Sequence, residues 1–217
     1  MISRNWKEHK EPIFVADNSI LEDFVVIKEN NQYIGYYCKG KEFQKQDLYK
    51  SYSKSPLGPF KDEELVEGGE HVRLCKGKLN DREAILSSIA PGLPKTGLLL
   101  YKWHDFGITR TLLLNPKPKT FYSVSACNPT VIHDGKEYNI YFEGRDNEVK
   151  WRVFQALWDG KNRMDVIDIP LMVGANPFIT KFDDKYYLYY SKYKTKMKNL
   201  TLSEWGFDTY VMTQEVE

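Results

Sequence analysis

The chain has 217 residues, enough for one sizeable core, and a formal net charge of +1 with Lys and Arg evenly offset by Asp and Glu, so it carries no basic field of the kind that gathers a phosphate backbone and implies no nucleic-acid partner. Residues 1–12 are charged and interrupted by Glu8 and Glu11, which leaves neither the apolar stretch of a signal peptide nor a membrane span, so a cytoplasmic chain is the expectation. The 3 cysteines, Cys38, Cys75 and Cys127, show no metal-binding spacing and read as reduced, buried thiols, with no metal and no cofactor expected.

Aromatic residues form 14% of the chain, which favours strands, and no Ser/Gly-rich or Pro-rich linker divides it; a single all-β domain over residues 1–217 is the expectation. In chain order, Pro12 to Ala16 (PIFVA) reads as a short strand placed to close a ring on the last repeat. The segment from Glu22 (EDFVVIKENNQYIGYY) then reads as a hairpin: an apolar strand, a polar turn at Asn30-Asn31, and an alternating aromatic strand. The same pattern recurs from Cys127 (CNPTVIHDGKEYNIYF, turn at Asp134-Gly135) and from Ala175 (ANPFITKFDDKYYLYY, turn at Asp183-Asp184). Asp23, Asn128 and Asn176 hold one place in it, each followed at the same two offsets by a tyrosine: Tyr33 and Tyr36, Tyr138 and Tyr141, Tyr186 and Tyr189. A weaker copy starts at Ala90 and keeps Leu100 and Trp103 at those offsets.

Third strands are expected from Asp47, Ile108, Val149 and Asn199. A fourth strand in each repeat has no clear signal, and the long gap between the first two copies, Lys61 to Arg82, holds either a degenerate repeat or an insertion. Repetition of this kind predicts a β-propeller of four to five blades.

The run from Asn176 to Ser191 (NPFITKFDDKYYLYYS) and that from Tyr49 to Phe60 (YKSYSKSPLGPF) resemble the blades of the five-bladed β-propeller glycoside hydrolases of the arabinanase and xylosidase type, glycoside hydrolase family 43, and their invertase-like relatives. The resemblance implies a carbohydrate-active propeller binding a glycoside or another sugar-bearing small molecule in a central cavity. It puts Asp23 where the general base stands, although Phe24 replaces the proline that usually follows. Asn128 stands where an aspartate would tune the acid, and Ala175 where the acid itself is expected. Glycoside hydrolysis needs two carboxyl groups flanking the scissile bond, so Glu143 is the first candidate to replace the acid.

Asn128 and Asn176 suit ligand hydroxyls, because an amide both donates and accepts hydrogen bonds. His104 and Asp105 at a strand end, Trp103 as a stacking surface, and Arg145 complete the candidate ligand-binding set. The two-residue spacing of Glu143 and Arg145 places both on one strand face, where an ion pair between them is expected. Hydrolysis is one reading. A non-catalytic propeller that sequesters a sugar or nucleotide-like ligand is the alternative, and a protein-interaction propeller a third.

Overall fold

A computed structural model describes residues 2–16, 19–42, 45–68, 76, 79, 84–88, 97–104, 107–147, 150–161, 163–193 and 207–216. Among these residues every regular element is a strand, so no helix is long and apolar enough to cross a membrane. The strands form four antiparallel sheets, one for each copy of the repeat.

The chain divides into two compact units. The first, residues 5–74 and 180–216, contains a four-stranded sheet in which β3 (Ile20–Glu29), β4 (Gln32–Glu42), β5 (Lys45–Ser53) and β6 (Lys61–Glu67) lie in chain order. Lys61–Glu67 is thus the fourth strand of the first repeat. The first unit's second sheet runs β1 (Lys7–Glu8), β17 (Phe207–Glu215), β16 (Lys185–Tyr193), with β2 (Phe14–Val15) also on β17. The Pro12 to Ala16 segment therefore adds a strand to the last repeat, as its sequence implied. β17 pairs with β16 as the next strand of that repeat, and the third strand expected from Asn199 lies outside the described residues. Leu188 pairs with Met212 and Tyr190 with Tyr210, a register that puts alternate apolar residues of β17 beside the aromatic ladder of β16.

The second unit, residues 1–4, 75–179 and 217, contains β7 (Ala84–Ser88), β8 (Leu98–His104) and β9 (Gly107–Leu114) as one sheet. The first strand of this copy lies upstream of the expected start at Ala90. Its other sheet is β10 (Ser125–His133), β11 (Tyr138–Arg145), β12 (Arg152–Trp158) and β13 (Met164–Val166), with β14 (Met172–Val173) also on β12. The unit boundary falls inside β15 (Ala175–Phe182), after Ile179.

Alternation decides which residues are core. On β10 to β12, Ala126, Ile140, Phe142, Phe154, Ala156 and Trp158 point to one face and pack with Tyr122 and Leu98. The opposite face carries Ser125, Cys127, Asn139, Tyr141, Glu143 and Gln155, a polar set that is nonetheless buried.

In the first unit, Phe24 lies at the centre of an aromatic cluster. It stacks on Tyr37 at 5.5 Å, meets Phe60 edge-on at 5.2 Å and contacts Phe14 at 5.6 Å and Tyr189 at 6.3 Å. This packing is the physical role of Phe24, which stands where the resemblance leads one to expect a proline. Gly35 makes room for it, since a Cβ there would stand 2.5 Å from Phe24 Cζ. With that ring boxed in on four sides, Gly35→Ala is expected to cost about 1–3 kcal/mol, read from the denaturant midpoint. A loss below ~0.5 kcal/mol would mean that the ring moves freely.

Candidate functional site

The three residues that the repeat aligns share one unusual backbone conformation. Asp23, Asn128 and Asn176 have φ of 56°, 48° and 50°, in the left-handed region that L-residues seldom enter. Asp and Asn tolerate it because their short polar side chains bond locally. Asp23 and Asn128 also sit at the same irregularity. The β3–β4 register shifts between Glu22 and Val25, and the β10–β11 register between Cys127 and Thr130, so in each pair two residues face one across the ladder. A bulge of this kind bends the strand and re-aims a side chain. The Asp/Asn pattern in the sequence is therefore a backbone signature, which explains why an acid and an amide alternate in it.

In the second unit this conformation builds a hydrogen-bonded cluster around Glu143, which is buried on β11 directly across from Cys127. Glu143 Oε1 accepts from Asn128 Nδ2 at 2.7 Å and from the Cys127 thiol at 3.4 Å. Its Oε2 accepts the backbone N–H of Asn176 at 2.6 Å. Asn128 Nδ2 also donates to Asn176 Oδ1 at 3.3 Å, and Ser125 Oγ to Cys127 Sγ at 3.4 Å. A neighbouring bond from the Ile179 N–H to Thr130 Oγ1, 3.2 Å, holds the same two strands together further along. One carboxylate thus ties the openings of two repeats, and its short, charge-assisted bonds are of the strong type.

The expected Glu143–Arg145 ion pair does not form. Glu143 is engaged by the two asparagines, while Arg145, half-buried at the end of β11, lies over the Trp151 ring at 5.4 Å. Alternation puts both residues on one face, yet consecutive same-face positions on a strand stand about 6.7 Å apart, so a shorter-range partner wins. Arg152, on the other face, pairs with Asp146 at 3.0 Å and lies over Phe121.

In the first unit, Asp23 and its neighbour Glu22 are both buried on β3, two adjacent carboxyl groups at the bulge. Trp103 and His104 end β8, and Asp105 lies outside the described residues. Ser125 and Cys127 complete the cluster, and neither stood among the candidate site residues. Their signal is strand alternation just before a blade-opening asparagine, which sets a small polar side chain and a thiol on the Glu143 face. Cys38 and Cys127 are both buried and neither is in a disulfide.

Among known proteins, no family profile matches the chain and no curated protein matches it in sequence. In structure it is similar to a GH62 hydrolase solved in complex with xylotriose, at 9% identity over 96% of this chain and 97% of that one, with a TM-score of 0.63. It is also similar to beta-1,2-mannobiose phosphorylase from Listeria innocua, at 14% identity over 90% of this chain, with a TM-score of 0.49. A third likeness is to an endo-arabinase from Bacteroides thetaiotaomicron, at 12% identity over 88% of this chain and 74% of that one, TM-score 0.48. The chain spans 58% of the length of the phosphorylase. The end-to-end match to the GH62 hydrolase shows the fold, an all-β propeller, and the four sheets are its blades among the described residues.

Proposed function

We propose that this propeller binds a sugar through its blade-opening residues, with Asn128 and Asn176 as the amides that meet ligand hydroxyls. The carrying observation is the cluster itself: Glu143 fixes both asparagines, and Asn176 Oδ1 is taken by Asn128, so that Asn176 Nδ2 remains as a donor for a ligand. Support for the ligand class comes from the shared fold, since the GH62 hydrolase of that fold was solved with xylotriose. Asp23 has the same backbone conformation at the equivalent place in the first unit.

Glycosidic hydrolysis is the second reading, with Asp23 as base and Glu143 as acid. Binding is placed first because Glu143 accepts N–H donors on both of its oxygens, an arrangement for a carboxylate and not for a group that hands a proton to a leaving oxygen.

The test is a calorimetric and thermal-shift screen against xylo-, arabino- and manno-oligosaccharides. A cognate sugar at about 100 times its Kd is expected to stabilise the protein by roughly 2.7 kcal/mol, and Asn176→Ala to weaken binding about tenfold. Turnover of an aryl glycoside that disappears in Asp23→Asn would establish the hydrolytic reading instead. Absence of binding by every sugar would remove both.

A further inference from the structure

We infer that Arg145 and Trp151 form an anion subsite beside the Asn128–Glu143–Asn176 cluster, so that the sugar bound there carries an acidic group, a carboxylate or a phosphate. This rests on the sugar-binding reading and narrows it to a substrate class. Three observations carry it. Arg145 shares the strand face of Glu143 and stands two residues beyond it at the open end of the sheet, with its backbone pinned by pairing to Ser125 and by the Val124 N–H on its carbonyl oxygen at 3.1 Å. Its guanidinium lies over the half-buried Trp151 ring, 5.4 Å from the centroid. It has no carboxylate partner among the described residues, whereas the adjacent Arg152 is fully engaged by Asp146 Oδ2 at 3.0 Å and the Lys150 carbonyl at 3.2 Å.

Stacking uses only the flat face of a guanidinium. The five N–H donors lie in the plane of the group, and their fork matches the two oxygens of a carboxylate or phosphate. The ring contact restrains the Arg145 side chain, so less rotamer freedom is lost when an anion docks.

The charges around the subsite agree with this use. The Glu143 carboxylate is answered by Asn128 and Asn176, and that of Asp146 by Arg152. Lys150, exposed and next to Trp151, adds positive potential. A single arginine beside a cluster whose one carboxylate already accepts N–H donors on both oxygens selects an acidic sugar over its neutral counterpart, because only the acid answers its charge.

Titration calorimetry on the full chain with matched ligand pairs tests this: a uronic-acid oligosaccharide against its methyl ester, and a sugar phosphate against the free sugar. The acidic member of one pair is expected to bind at least about tenfold more tightly, as a bidentate charged contact allows. That advantage shrinks when the salt is raised from about 0.05 M to about 0.3 M. The pair with the larger ratio identifies carboxylate or phosphate as the group recognised. In Arg145→Leu, which keeps the apolar stem on the ring, the ratio falls to near one; Arg145→Lys keeps the charge without the fork and retains part of it. A ratio near one in the wild type, or a ratio that survives Arg145→Leu, overturns the subsite and leaves the sugar-binding reading standing. Failure of every ligand to bind, neutral members included, overturns that reading and the subsite with it.

Discussion

Phe142→Ala is expected to lower stability by about 3–5 kcal/mol, seen as a fall in the denaturant midpoint with little change in slope. Phe142 is fully buried on β11, stacked against Phe154 at 5.4 Å and met edge-on by Tyr122 at 5.9 Å. These rings leave no side free to collapse. On one flank, Gly144 is already so close to Tyr122 and Phe154 that a Cβ there would stand 2.5 Å and 2.9 Å from them. A cavity left by the ring therefore stays open, which places the cost at the upper end of the range for such truncations. A loss below ~2 kcal/mol would show that Tyr122 and Phe154 close over the gap.

Glu143→Ala is expected to cost about 3–5 kcal/mol, the range seen when one partner is removed from a buried charged network. The truncation strands the Asn176 N–H and the Asn128 amide, both of which donate to Glu143. Glu143→Gln separates two roles for this residue. A glutamine supplies one acceptor oxygen and one NH2, so a donor must face either Asn128 Nδ2 or the Asn176 N–H, and roughly 1–3 kcal/mol is lost even though the shape is kept. If Glu143 served only as a proton donor, Glu143→Gln would leave stability within ~0.5 kcal/mol and abolish turnover alone. Thermal melts and sugar titrations on the same samples decide between the two, since a positioning role predicts that stability and ligand affinity fall together.

Much of the architecture was legible because it repeats. Asp23, Asn128 and Asn176 recur since these three opening strands need a residue that accepts positive φ, at a bulge in the first two, and Asp and Asn are the side chains that tolerate it. The turns were legible for a similar reason: Asn30, Asp183 and Gly135 all have positive φ. The last blade was harder. The strand Phe207–Glu215 alternates, and its place is set by pairing with β16 on one side and with β1 and β2 on the other. Alternation is a local property; the choice of neighbour is not.

The site divides along the same line. By itself the sequence determined that this is an all-β chain of repeated hairpins, that an Asp or Asn opens three of the repeats, and that Glu143 and Arg145 share a strand face, because propensity, turn chemistry and period two act over a few residues. Only the tertiary structure decided the partners. Asn176 reaches Glu143 across 33 positions of sequence, Arg145 turns to Trp151, and Phe24 fills the space that Gly35 leaves open. Those contacts follow from which sheets pack together and in what register, and burial then enforces them: a buried carboxylate must find hydrogen-bond donors, and an aromatic ring must find a cavity of its own size.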